Sequence, residues 1–444
     1  MGVALTDFSS PAHVAEGGGF QAPPPSLRSG AGAGRGARRK ARGTAAGGMR
    51  WAGLALAYLF GCTTLLAAQS DPEARGTRPA EYRVYVANES SDLVSRVVFA
   101  PGKGARVEKE IPVGIMPADN DGAHGITVSP DGDFWYVTVA HGTPYGSLWK
   151  FHAGPDTLVG RATLGLFPAT MGVTPDGQFM FVANFNLHGD MVPSDVSVVY
   201  TPQMMEVARI PTCLMPHGSR LDRTGNRQYS ACMHSDQLVE IDLGTFEVSR
   251  RLSVTPGSEG ALALEDRGQH MGQDAAMDHA AHRQRAAMAA GEVCSPTWAE
   301  PGAGGRAGFV YVACNKHGEI LEVDVESWSV RRHIPTGKAP YNLEATEDGR
   351  LLVATLKSEQ AVALIDLESG REVARIPTSR PITHGVVASP DSRYAFVTNE
   401  AIGSVKGTLD VFDLERRERV ASVDLGHQSG GIGFWRMTPV GVRP

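Results

Sequence analysis

A short β-rich segment recurs seven times along this 444-residue chain and constrains the fold more than any other feature. The ends of successive copies are separated by 51, 45, 48, 82, 41 and 44 residues, a spacing typical of repeats that contain about four strands. Alternating β-branched and aromatic residues in each copy predict strands. The copies are VYVAN, WYVTV, FMFVAN, QYSAC, FVYVAC, LLVAT and YAFVTN, at 84–88, 135–139, 179–184, 228–232, 309–314, 351–355 and 394–399.

Tight turns and further strands complete each repeat. Turn sequences such as Pro130-Asp131-Gly132 precede the segments, and proline presets φ there while glycine accepts a positive φ. Two more strands follow, as at 239–243 and 247–252. Four strands per repeat are typical of a propeller blade. The sequence therefore predicts an all-β, seven-bladed β-propeller over 80–437, closed by a C-terminal strand at 431–436 that completes the first blade and removes an exposed sheet edge.

The 82-residue interval has two interpretations. It is long enough to contain an eighth blade, but residues 257–293 are rich in Ala, His, Met, Gln and Asp and have no strand pattern. We therefore predict an insertion in a seven-bladed ring. Its histidines fit either a solvated loop or a copper-collecting segment; they are His270, His279 and His282.

The first 68 residues differ in composition from the rest. Residues 1–48 are dominated by Gly, Ala, Pro and Arg and predict a disordered extension or a mis-assigned start before Met49. Residues 49–68 combine an arginine, an apolar run and a small-residue end, the pattern of a secretory signal. Cleavage near Ala68 and lipidation of Cys62, which follows a lipobox-like Leu-Phe-Gly, are the two alternatives. We expect a periplasmic or extracytoplasmic protein, whose membrane contact, if any, is a lipid anchor at Cys62.

Charge and cysteines agree with this division. The first 68 residues contain seven basic and two acidic residues, so the net charge of −6 for the whole chain leaves −11 for the remainder. Such an acidic domain argues against a nucleic-acid partner. Four cysteines lie beyond the signal, and in an exported protein an even set favours two disulfides over thiolate ligation. Their pairing stays open among three connectivities; they are Cys213, Cys232, Cys294 and Cys314.

Histidines fall at two repeat-equivalent positions. In a blade, the residues just before the inner strand and just after the second strand lie on one face, around the central channel. We expect the first set to converge on the axis, and we predict all eight residues as candidate metal ligands. The inner-strand set is His124, His217, His384 and His427, and the loop set is His141, His188, His234 and His317.

Neutral imidazole is the commonest metal ligand in proteins, and a mixture of imidazole and thioether suits copper. We therefore interpret the face as a platform for a metal, with copper favoured, or for another redox cofactor. The alternative is structural: each His-Gly pair is a relic of the repeat, and its imidazole bonds to a neighbouring blade.

Along residues 80–437 the chain resembles the YVTN-type β-propeller repeat proteins of bacterial envelopes. The resemblance is carried by the Pro-Asp-Gly turns and by strands such as Tyr136-Val137-Thr138 and Phe396-Val397-Thr398-Asn399. Two shorter stretches, 215–226 and 383–391, are similar to the propeller of nitrous oxide reductase, which places histidines around a copper–sulfide cluster. This chain contains no adjacent His-His pair and no cupredoxin segment after the propeller, so that activity is not assigned.

Three functions remain open, and whether the protein is an enzyme stays undecided. The first is a metal-handling binding protein of the envelope. The second is a copper- or haem-dependent oxidoreductase related to denitrification propellers, with a periplasmic redox partner; the absence of Cys-x-x-Cys-His excludes covalent c-type haem. The third is an interaction scaffold for other envelope proteins. A lactonase-like hydrolase is disfavoured because Asn342 and Glu344 are too few channel residues for it, and no Gly-x-Ser-x-Gly motif appears.

Overall fold

The computed structural model describes residues 80–115, 119–141, 145–264 and 293–439. The predictions for the extension, the signal, Cys62 and the three insertion histidines lie outside these ranges. No helix among the described residues is long and apolar enough to span a membrane. Short 3-10 turns at Glu89–Ser91 and Gly304–Arg306 are the helical elements there.

The prediction of a seven-bladed propeller is confirmed, because seven antiparallel sheets form a ring of blades. The strands of blades one to four are β1 (Ala80–Asn88), β2 (Leu93–Ala100) and β3 (Gly104–Pro112); β4 (Ala123–Val128), β5 (Phe134–Val139), β6 (Ser147–His152) and β7 (Leu158–Thr163); β8 (Pro168–Val173), β9 (Phe179–Asn184), β10 (Asp195–Tyr200) and β11 (Met205–Pro211); and β12 (Pro216–Leu221), β13 (Arg227–Cys232), β14 (Gln237–Asp242), β15 (Glu247–Ser253) and β16 (Gly260–Leu262).

The remaining blades follow in order. Their strands are β17 (Pro296–Pro301), β18 (Phe309–Cys314), β19 (Glu319–Asp324) and β20 (Ser329–Pro335); β21 (Pro340–Ala345), β22 (Leu351–Leu356), β23 (Ala361–Asp366) and β24 (Arg371–Pro377); β25 (Thr383–Ala388), β26 (Tyr394–Asn399), β27 (Thr408–Asp413) and β28 (Glu418–Asp424); and finally β29 (Ser429–Pro439).

The C-terminal strand closes the ring as predicted. Strand β29 is the inner strand of blade one and pairs antiparallel with β1. Strand β16 was not predicted. It adds a fifth strand to the outer edge of blade four, within the segment interpreted as an insertion without strand pattern.

A repeated turn explains why the segments recur so regularly. In blade two, the hydroxyl of Ser129 donates to Asp131 at 2.5 Å and accepts from the Phe134 amide at 2.9 Å. Thr174 and Asp176 form the same pair in blade three. Side chains of the turn thus form hydrogen bonds with backbone groups of the same turn. These bonds fix the register in which the second strand begins.

Buried apolar residues pack between neighbouring sheets. Between blades one and two, the Tyr85 ring stacks on Trp135 at 5.0 Å, and Trp135 stacks on Phe151 at 4.1 Å. The Tyr85 hydroxyl donates to the buried Asp156 carboxylate at 2.9 Å. Similar clusters occupy the other blade interfaces, so burial of apolar surface holds the ring together.

Candidate metal centre on the axial face

The second residue of each inner strand lines the axis at one level of the channel, here called the histidine level. In chain order from blade two these residues are His124, Ala169, His217, Thr297, Tyr341, His384 and, on β29, Gly430. Three of the four histidines expected at the axis are therefore there. His427 precedes β29 by two residues and is half-buried, and its amide donates to Ser91 at 2.7 Å.

The glycine after each axial histidine has a packing reason. A Cβ added at Gly125 would lie 2.0 Å from the Ala169 carbonyl oxygen, and one at Gly218 would lie 2.3 Å from the Thr297 carbonyl oxygen. At these glycines the neighbouring inner strand approaches too closely for a side chain. Close packing of the inner strands therefore explains the glycine of each His-Gly pair. It does not explain why the residue before that glycine is histidine.

A buried threonine of the second strand locks the inner strands together. In blade six, Thr355 accepts from the Asn342 amide at 2.9 Å and donates to the His384 carbonyl at 2.9 Å in blade seven. Thr398 does the same between Gly385 and the Gly430 carbonyl, at 2.8 and 2.6 Å. The threonine of the repeated strand thus fixes the backbone that carries the axial side chains.

Three imidazoles and a phenol surround the axis at the histidine level. The ring centroid of His124 lies 6.3 Å from those of His217 and His384. Tyr341 lies between the latter two, 5.6 Å from His217 and 4.7 Å from His384. His217 and His384 are buried, so these rings form a largely desolvated cluster.

Each axial histidine has one ring nitrogen close to an acceptor, and this contact is a hydrogen bond for His124 and His217. Nδ1 of His124 lies 2.7 Å from Oε2 of Glu89, and Nδ1 of His217 lies 3.0 Å from the Thr297 carbonyl oxygen. Nε2 of His384 lies 3.3 Å from Oε1 of Glu400. The Thr297 carbonyl only accepts, so Nδ1 of His217 carries the N–H, and its Nε2 lies 3.3 Å from the hydroxyl oxygen of Tyr341.

Electrostatics favour neutral rings at the two buried positions. Burial lowers the pKa of His217 to about 3. Burial also lowers the pKa of His384 well below its usual value, and the neighbouring Lys357 charge lowers it further. Nδ1 of His384 is buried and has no hydrogen-bond partner. Neutral imidazoles with a free lone pair are the form that binds metals.

Glu89 is the most strongly held carboxylate of the face. Burial acts to raise the pKa of its carboxyl group, but the contacts with His124 and His141 outweigh burial and lower that pKa. Its second oxygen lies 2.8 Å from Nε2 of His141, and this hydrogen bond raises the pKa of His141. One carboxylate therefore orients two of the predicted histidines.

Sequence reasoning missed Glu89, Lys357 and Glu400. These residues directly follow second strands of blades one, six and seven and are repeat-equivalent, since each amide donates to the loop before the inner strand. Lys357 Nζ lies 3.0 Å from Glu400 and 4.2 Å from the centroid of the Tyr341 ring. The sequence contained a signal for these three residues, because each occupies the same position after a second strand. A search of that position for every residue type, and not only for histidine, would have found the two acids and the lysine.

The other predicted histidines lie away from the axis. His141 and the exposed His188 have ring centroids 6.0 Å apart and both contact Phe167. His234 is half-buried, and burial lowers its pKa. Nδ1 of His317 lies 2.9 Å from Glu319, a carboxylate that His333 shares.

Two disulfides resolve the cysteine pairing. Cys213 bonds to Cys232 in blade four, and Cys294 bonds to Cys314 in blade five. Each joins the loop before an inner strand to the end of the second strand of the same blade. The expectation of disulfides rather than thiolate ligands agrees with this structure.

The axial cluster is more open than a closed metal site. Among the described residues, no three His, Cys, Asp or Glu side chains are arranged to hold a metal ion. Imidazoles on one tetrahedral ion at Zn–N distances have ring centroids about 5 Å apart, so the 6.3 Å separations of His124 exceed that spacing by about 1 Å. A small cavity of about 30 Å³ lies beside the three histidines, with space for about two waters or one small ion.

No profile of a known protein family matches the chain, and no curated protein matches it. Among solved structures, the chain is similar to hydrazine synthase of Kuenenia stuttgartiensis, with a TM-score of 0.50 and 18% identity, covering 71% of this chain and 91% of that chain. It is also similar to a functionally unknown protein of Desulfotomaculum acetoxidans, with a TM-score of 0.55 and 15% identity, covering 79% and 98%. Identities this low show a shared propeller fold and nothing of function.

Proposed function

We propose that this protein is an exported propeller that binds one copper ion at its axis through His124, His217 and His384. One observation carries the proposal: the rings of His124 and His217 are hydrogen-bonded through one nitrogen to a carboxylate and a backbone carbonyl, and a nitrogen of His384 lies 3.3 Å from the Glu400 carboxylate. Metal-ligating histidines almost always donate their second N–H in this way, which fixes the tautomer and the ring orientation. Binding then requires His124 to approach each of the other two rings by about 1 Å, and it requires His217 and His384 to come together past Tyr341, which contacts both.

Ligand chemistry supports copper over harder cations. The donor atoms are imidazole nitrogens, which suit copper, zinc, nickel and iron, whereas magnesium and calcium prefer oxygen. Among the divalent ions, copper has the highest affinity for such a set. The small axial cavity supports a single ion rather than a haem.

The two disulfides and the apolar segment at 49–68 support an exported location, because disulfides persist in oxidising compartments. We further propose a distant relationship to the YVTN-type propellers. Thr138, Thr355 and Thr398 occupy the position of the threonine in the YVTN sequence. Each hydroxyl donates to a backbone carbonyl of the next blade, and this shared contact supports the relationship.

Copper binding is tested on the protein purified from an oxidising compartment, by metal analysis and by competition of Cu(I) and Cu(II) with chelators. We expect one copper per chain, and at least a tenfold loss of affinity in each of His124→Ala, His217→Ala and His384→Ala. His317→Ala and His333→Ala remove histidines of a distant surface pair and are the matched controls. Failure of the wild type to take up copper, or full copper retention in the triple axial variant, contradicts the proposal.

A further inference from the structure

A second level, defined by position along the inner strands, lies three residues after the histidine level. Arg220, Glu300 and Glu344 occupy this position on blades four, five and six. At about 3.3 Å per residue, this level is about 10 Å below the histidines. Two acidic side chains on adjacent inner strands are costly to bury, so their surroundings decide their protonation.

Both carboxyl groups are held in the same way. Oε1 of Glu300 accepts from the Ala345 amide at 3.4 Å, and Oε1 of Glu344 accepts from the Ala388 amide at 3.3 Å. Each side chain therefore reaches across to the inner strand of the next blade. Glu300 is 3% exposed, and its Oε2 is buried without a hydrogen-bond partner.

Positive charge compensates this pair only in part. Nε of Arg220 lies 3.7 Å from Oε2 of Glu300, beyond hydrogen-bond distance, and the Arg220 guanidinium packs over Trp298. Arg223 lies nearby but contacts the carboxylate of Glu347 at 3.1 Å. Burial raises the pKa of both Glu300 and Glu344, and the Glu344 charge raises that of Glu300 further.

Neighbours of the pair line the axial cavity. Arg220, Trp298 and Asn342 line the same cavity as the three axial histidines. Oδ1 of Asn342 is buried and has no hydrogen-bond partner, so the cavity has polar groups that suit ordered water.

We propose that Glu300 and Glu344 form a proton-binding site that holds one proton between two carboxyl groups at neutral pH and exchanges it with water in the axial channel. The proton moves between a carboxyl oxygen and a water molecule, so no other reactant is needed. Positive charge at the histidine level favours release of this proton. This coupling rests on the copper site proposed above. In a protein interior, a divalent ion at a separation of about 10 Å lowers the pKa of the pair, because its positive charge favours the ionised carboxylates.

Infrared titration of the metal-free protein tests the pair by itself. We expect the C=O stretch of a protonated carboxyl group at pH 7, lost as the pH is raised and absent from the Glu300→Gln, Glu344→Gln double variant. Glu347→Gln removes a neighbouring partly exposed carboxylate and is the matched control, which should keep the band. Absence of the band at pH 7, or its persistence in the double variant, overturns the proton site.

Proton release on copper addition tests the coupling. In weakly buffered solution at pH 7, the wild type should release more protons per bound copper than the double variant. Equal release with copper bound in both proteins overturns the coupling. If no copper binds, the coupling fails together with the copper proposal, whereas the metal-free titration still decides the carboxyl pair.

Discussion

The carboxylate of Glu89 lies 2.7 Å from Nδ1 of His124, and the two residues belong to different blades. Glu89 follows the second strand of blade one, whereas His124 begins the inner strand of blade two. The orientation of an axial imidazole therefore depends on the contact between two repeats. Neither blade alone contains both groups.

Replacement of Glu89 tests this relationship. Glu89→Gln removes the charge that fixes the His124 tautomer, and loss of such a partner typically costs 10–100-fold in metal affinity. We expect that loss in copper competition assays, with the fold unchanged by circular dichroism. Glu319→Gln is the matched control, since Glu319 also binds histidine side chains but lies away from the axis. Equal affinities of the two variants would show that Glu89 does not position a ligand.

Removal of a disulfide should weaken the propeller. Cys213 and Cys232 are 19 residues apart, and Cys294 and Cys314 are 20 apart, so closure of each loop contributes about 3 kcal/mol. We expect the Cys213→Ala, Cys232→Ala variant to lose about that much free energy of unfolding in urea titrations. An unchanged midpoint would mean that strand pairing alone fixes these loops.

Stability should fall at alkaline pH because of the second-level carboxyl groups. A raised pKa in the folded state contributes stability that is fully present below the ordinary range of glutamate, near pH 4, and is lost as the pH rises through the raised pKa. Glu344→Gln removes one of the two groups and the repulsion on Glu300, so we expect the unfolding free energy of this variant to decline less than that of the wild type between pH 6 and pH 9. Urea titrations at both pH values measure it, with Glu347→Gln as control. Parallel declines in wild type and Glu344→Gln would contradict the prediction.

Replacement of the glycine beside an axial histidine should lower the free energy of unfolding. A Cβ at Gly218 would lie 2.3 Å from the Thr297 carbonyl oxygen and 2.5 Å from Cα of Trp298. Gly218→Ala must separate two inner strands, and we expect it to lose about 2 kcal/mol or more in unfolding free energy. Gly305→Ala is the control, because no atom lies within 4 Å of its added Cβ. Equal stability of the two variants would contradict the inter-strand contact.

The blade count and ring closure followed from the period of the repeat, because turns such as Ser129–Phe134 are satisfied locally and mark each strand in the sequence. His124, His217 and His384 were found because their glycines keep the inner-strand register. His427 was misplaced at the axis because the last inner strand begins with Ser429-Gly430 instead of a His-Gly pair.

Other parts of the site depend on contacts that a one-dimensional pattern does not contain. Glu89 acts across a blade boundary, and its role appears only when blade one is placed beside blade two. The cysteine pairing was open because four cysteines permit three connectivities. Of the pair Glu300 and Glu344, Glu344 was considered from the sequence without Glu300. Only the structure shows that both carboxyl groups are held against the next inner strand.

The pairing of β1 with β29 has a consequence for the order of synthesis. Tyr85 and Gly433 are neighbours across this pair, although about 350 residues separate them, and bringing such distant segments together costs about 5 kcal/mol of loop-closure entropy. The inner side of β1 therefore stays unpaired until β29 has been synthesised. Glu89 directly follows β1, so we expect the axial centre to take its final form only after β29 has docked.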